Sequence, residues 1–104
     1  MSAHNYAGVA VNVNNEGYLV DTADWTPAIG EAIATEVGIT LGAQHWEAIN
    51  FVREDFAATG KSPGLRRITT NTNLGMKDLY KLFPKGPGKL VAKIAGTPKP
   101  KSCL

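Results

Sequence analysis

Proline and glycine punctuate this sequence at short intervals from residue 27 onward, and that punctuation decides what the chain can fold into. Pro27 suits a first helical turn and Gly38 a stop. Between them Ile29, Ile33 and Val37 continue from Trp25 at every fourth position, the spacing of an amphipathic helix. Thr40 is placed to cap a second helix with Trp46, Ile49, Val52 and Phe56 on one face, Glu47, Asn50 and Glu54 opposite, and Gly60 at its end. Ser62-Pro63 opens a third, shorter helix through Leu65 and Ile68, which Asn71-Thr72-Asn73 interrupts. A fourth carrying Leu79, Leu82 and Phe83 must stop before Pro84, and Pro87 opens a fifth that runs to Ala95. Upstream, Val9, Val11 and Val13 alternate with small or polar residues, and Asn14-Asn15-Glu16-Gly17 separates them from Tyr18-Leu19-Val20. This predicts a β-hairpin with a Gly-containing loop. The expected class is α+β, mainly α: residues 1–95 form one small helical bundle with an N-terminal hairpin.

The last segment reads differently. Gly96 can take positive φ and end the fifth helix, and Pro98 and Pro100 then remove two backbone donors and favour polyproline geometry. Residues 96–104 are therefore expected to form an extended, mobile arm outside the packed core. Gly96, Pro98 and Pro100 set its hinge and direction. At about 3.1 Å per residue, such an arm places Cys103 roughly 25 Å from the end of the fifth helix, enough to enter another protein's pocket. Cys103 is the only cysteine of the chain and its penultimate residue. It cannot form a disulfide within the chain, and its position does not match an isoprenylation signal. With Lys99 and Lys101 on one side and a terminal carboxylate on the other, it reads as an ordinary thiol that gains reactivity inside a partner's site.

The 104 residues suit one small domain, with no apolar run long enough for a membrane span and no basic-then-apolar leader, so a reducing cytoplasm is the expected setting. The net charge of +2 hides a polarity. Through Asp55 there are eight acids against one base, Arg53; after it there is one acid, Asp78, against ten bases. Lys85, Lys89, Lys93, Lys99, Lys101 and Arg66 belong to this basic half and are the candidate partner-binding residues. They fit an acidic protein surface or a nucleic acid, or else pair with the acidic half of the same fold.

Other candidate sites are weaker. One cysteine and two distant histidines, His4 and His45, do not make a metal site, and no cofactor motif is present. His45 falls on the apolar side of the second helix, as a hydrogen-bonded, half-buried residue. Glu54 and Asp55 are adjacent, about 100° apart around a helix, and cannot serve one substrate atom. Gly86-Pro87-Gly88-Lys89 lacks the remaining elements of a phosphate loop and reads as a turn into the fifth helix. Of Arg66 and Arg67, one is expected to pair with an acid and the other to be solvated. The paired third and fourth helices have the outline of a helix-turn-helix.

Several segments together resemble the TusE/DsrC family of sulfur-relay proteins: Gly17-Tyr18-Leu19 with Trp25, His45-Trp46-Glu47, Phe51-Val52-Arg53, Ser62-Pro63 with Arg66, Leu79-Tyr80, and Leu82-Phe83-Pro84-Lys85-Gly86-Pro87. Ile94-Ala95-Gly96, Pro98-Lys99-Pro100 and Cys103 complete the set. The resemblance implies a helical bundle with a mobile C-terminal arm whose penultimate cysteine carries sulfur as a persulfide between a protein donor and a protein acceptor. The acceptor would be a relay complex, a tRNA thiolase acting in 2-thiouridine synthesis, or a sulfite-reductase-like enzyme. DsrC-type members have a second cysteine where this chain has Ala92, and TusE-type members lack it, so the resemblance points to one-thiol transfer. The segment Thr70 to Lys77 is also shorter than is usual in that family. Two rival readings are a DsrC-like partner or regulator of sulfite reductase, and a nucleic-acid-binding regulator with Cys103 as a redox switch.

Overall fold

The structure is a computed structural model and describes residues 2–101. Cys103, and with it the expected reach of its thiol, lies outside the described residues.

The hairpin forms one strand earlier than the apolar pattern predicts. Strand β1 (Ser2–Tyr6) pairs antiparallel with β2 (Val9–Val13), in the register Ser2 with Val13 and Tyr6 with Val9. The two-residue loop Ala7-Gly8 has φ of 54° and 80°, the positive values that a type I′ hairpin turn demands. β1 shows no apolar alternation because all of it but Tyr6 is exposed: it is held by the ladder rather than by burial. The expected second arm of the hairpin shrinks to a single bridge between Val13 and Leu19. The Asn14–Gly17 turn that leads there is real, closed by Asn14 Oδ1 accepting from the amides of Glu16 and Tyr18.

Helix α1 (Pro27–Glu36) starts as expected, with Thr26 Oγ1 accepting from Ile29 N–H at 3.2 Å. Trp25 precedes the helix in extended conformation, so it is not the first residue of the apolar stripe but a side chain free to cross to another element. Helix α2 (Ala43–Thr59) begins three residues after Thr40, which does not cap it. The end is closed instead by His45, whose Nδ1 accepts from Gly42 N–H at 3.0 Å. Helix α3 (Leu65–Asn71) begins after Pro63-Gly64 rather than at Ser62, whose hydroxyl is used elsewhere. Helices α4 (Met76–Leu82) and α5 (Pro87–Ala95) lie where Pro84 and Pro87 place them.

The core is built around α5, whose Val91, Ala92, Ile94 and Ala95 are buried against α1 and α2. Ile29, Ile33, Ile49, Val52, Ile68, Leu79 and Phe83 complete it. Asp55, on the inner side of α2, accepts two hydrogen bonds from Arg67, at 2.7 and 2.9 Å, tying α3 to α2. Arg66 is the solvated neighbour, as the sequence suggests. None of the helices among the described residues is long and apolar enough to cross a membrane.

Candidate functional site

The residues that launch the C-terminal arm form the site, and they converge on the last turn of α5. A helix leaves its last four carbonyls without intrahelical partners. Here all four are satisfied. Thr97 N–H donates to Ala92 O at 3.0 Å and Gly96 N–H to Lys93 O at 3.2 Å, the paired bonds of a Schellman ending with Gly96 at φ 75°. The other two partners are side chains from distant elements. Trp25 Nε1–H donates to Ile94 O at 2.7 Å, and Arg53 Nη1 donates to Ala95 O at 2.8 Å and to Thr22 Oγ1 at 3.1 Å.

Arg53 and Trp25 hold each other in place. The guanidinium carbon lies 4.1 Å from the Trp25 ring centroid, a cation–π stack, and Trp46 meets the other ring edge-on at 6.4 Å. Burial lowers the pKa of Arg53, yet an arginine stays protonated, so a positive charge sits at the negative end of the α5 dipole. Two glycines make room for the indole. A Cβ on Gly30 would lie 2.8 Å from Trp25 Cζ2, and one on Gly96 would overlap Trp25 Cδ1 and Cγ. Gly96 is therefore fixed twice, by its positive φ and by the ring against it.

Beyond Gly96 the chain is extended, as predicted, but it does not leave the body there. Thr97 is fully buried and Pro100 is buried as well, which corrects the expectation that nothing past Gly96 joins the packed core. The reason is polar satisfaction: Thr97 finds partners in the end of α5, and Ser62 Oγ–H donates to the carbonyl of exposed Pro98. Lys99 forms an ion pair with Glu16 at 3.0 Å, anchoring the arm to the turn after β2.

The basic candidates divide. Lys99, Lys89 and Lys93 surround Glu16, and the hydrogen bond and charge of Lys99, helped by Lys89 and Lys93, lower that carboxyl's pKa. Lys93 Nζ also lies 5.2 Å from the Tyr18 ring centroid, and Tyr18 O–H donates to Lys89 O at 3.4 Å. Lys101 is exposed, and Lys85 is exposed in the turn between α4 and α5. Arg66 belongs to a different surface, an open groove of about 760 Å³ between α3 and α4 that exposes Met76 and Tyr80. His45 is structural: with Nδ1 accepting from Gly42, its Nε2 donates to Leu82 O at 3.0 Å while the ring meets Phe83 edge-on. No group of metal-ligating side chains occurs among the described residues. Sequence reasoning counted Trp25 as core and missed Arg53, Thr22, Ser62 and Glu16. Arg53 stood out as the single base among the acids of the first half, and Trp25, Arg53 and Ser62 were already among the residues that carry the family resemblance.

The body is a small helical domain that holds the base of the C-terminal segment, and the chain's only cysteine lies further along that segment in sequence. The chain belongs to the DsrC-like protein family, whose model matches residues 5–104. It is 40% identical over 106 residues to sulfurtransferase TusE of Salmonella typhimurium, covering 95% of this chain and 97% of that protein. To sulfurtransferase TusE of Escherichia coli K12 it is 35% identical, with coverage of 95% and 97%. Among solved structures, dissimilatory sulfite reductase I (DsrI) superposes with a TM-score of 0.88 at 36% identity, covering 99% of this chain and 100% of that one. DsrC of Allochromatium vinosum gives 0.85 at 33%, with coverage of 98% and 97%.

Proposed function

We propose that this chain is a sulfur carrier that holds sulfane sulfur as a persulfide on Cys103. The observation that carries the reading is full-length similarity to sulfurtransferases in a chain whose only cysteine ends the arm launched by α5. The thiolate of Cys103 attacks the terminal sulfur of a donor cysteine persulfide, the donor's S–S bond breaks, and the donor departs as a thiolate. Atoms and electrons balance, with no external oxidant or reductant. The reverse attack by an acceptor thiolate unloads the carrier. The body needs to supply only reach and orientation, since donor and acceptor sites activate the sulfur. One thiol suffices, and with Ala92 buried in α5 there is no second thiol to resolve the persulfide within the chain.

A second reading follows from the likeness to DsrI and DsrC structures: the chain docks on a sulfite-reductase-like enzyme. Both readings use the arm, and they differ in whether sulfur is taken up from a cysteine desulfurase relay. Incubation with such a relay followed by intact mass measurement is expected to add about 32 Da, one persulfide sulfur, to the wild type and nothing to Cys103→Ser. An unmodified wild type that co-purifies with sulfite reductase would favour the second reading.

A further inference from the structure

The end of α5 is held by side chains from distant elements. Ile94 and Ala95 are buried, so their carbonyls are not left to water. Instead, Ile94 O and Ala95 O receive an indole N–H and a half-buried guanidinium from elements 69 and 42 residues away in sequence. These two donors stack on one another, and the indole packs on the residue where the arm begins. The arrangement is distinct from the apolar packing of α5, whose Val91, Ile94 and Ala95 are buried against α1 and α2. What it adds is direction. With all four carbonyls satisfied and Gly96 wedged against Trp25, the backbone of Gly96 and Thr97 is held where the arm leaves α5.

We infer that Trp25 and Arg53 are positioning residues for sulfur transfer, acting through Gly96 to aim the arm that bears Cys103. The inference rests on the carrier reading. Positioning matters when the thiol must meet a second protein's persulfide, since a misplacement of about 1 Å can cost up to a hundredfold in rate. It does not matter when a small molecule diffuses to the thiol. The two steps therefore separate positioning from general damage to the fold.

The test compares wild type with Arg53→Met, Arg53→Lys and Gly96→Ala, and with Arg67→Ala as a control that breaks an ion pair away from the arm. Three quantities are read: amide hydrogen exchange at Gly96 and Thr97, loading of Cys103 by inorganic polysulfide, and loading by a persulfidated cysteine desulfurase relay. In Arg53→Met and Gly96→Ala, exchange at Gly96 and Thr97 should rise by a larger factor than that of Ala48–Val52 in α2. Polysulfide loading should be unchanged and relay loading should fall roughly tenfold or more. Arg53→Lys keeps the charge and one donor and should recover part of the relay rate. Arg67→Ala should leave it intact. Relay and polysulfide loading that fall together, or a relay rate unchanged despite faster exchange at Gly96, would overturn the positioning role. If wild type takes sulfur from neither source, the carrier reading itself fails, and the exchange data still show whether the two side chains fix the end of α5. Should Arg53→Met not fold, Gly96→Ala and Arg53→Lys carry the same comparison.

Discussion

Single residues set two backbone angles on which larger features depend. Ala7 is the non-glycine residue at positive φ among those described, in the first central position of a type I′ turn. The left-handed region costs an alanine about 1–2 kcal/mol, which Asn and Gly largely avoid. Ala7→Asn is therefore expected to stabilise the protein by about 0.5–1 kcal/mol, read as a higher denaturant midpoint at unchanged slope. Gly96→Ala has the opposite sign, because strain at φ 75° adds to overlap with the Trp25 ring. The expected loss is about 2–4 kcal/mol by chemical denaturation. The glycine was legible in sequence as a helix stop, but the indole that also requires it was not. Trp25 fits the four-residue spacing of Ile29 and Ile33 so well that periodicity absorbs it into the stripe, and only the extended backbone at 25 shows that its ring points to α5.

At the scale of elements, the helices were readable because prolines and glycines bound them, and the hairpin was misplaced because its first strand buries little. Tyr6, Val11 and Val13 fasten that hairpin into the core, and a polar contact adds to them. Tyr6 O–H donates to Glu36 Oε1 at 3.1 Å on α1, and burial together with this carboxylate raises the Tyr6 pKa to about 12. The folded value lies above the ordinary tyrosine value of 10.0, so the stabilisation is fully present below pH 10 and is lost as pH rises through about 12. Alkaline unfolding followed by circular dichroism should show this slope, and Tyr6→Phe should flatten it. The arm's tether has the reverse dependence. The Glu16 carboxyl is lowered by Lys99, so the Lys99–Glu16 pair is complete above the ordinary carboxylate range and is lost as pH falls through the lowered value. In Lys99→Ala the NMR titration of Glu16 should move up, toward its ordinary value.

For the molecule as a whole, the charge polarity visible in sequence places eight acids and one base through Asp55, and one acid and ten bases after it. Among the described residues Arg67–Asp55 and Lys99–Glu16 are ion pairs that join the two halves. Lys89, Lys93 and Lys99 gather around Glu16, and Lys99 precedes Cys103 by four residues in sequence. This predicts how the thiol chooses partners. Two copies of the chain approaching through their basic halves repel one another, whereas an acidic protein donor is drawn in. Exposed charges act over roughly 10 Å at 0.1 M ionic strength, so added salt weakens both effects. Oxidation with diamide can produce a disulfide only between chains, because Cys103 is the sole cysteine. The rate of that dimer formation should rise with salt as repulsion is screened, while sulfur transfer from a relay protein should slow over the same range. Lys99→Glu with Lys101→Glu should reduce both dependences, accelerating dimer formation and slowing transfer at low salt. Stopped-flow transfer rates and non-reducing gels at two salt concentrations measure the pair of slopes. Equal signs for the two would show that the basic half does not face the partner during exchange.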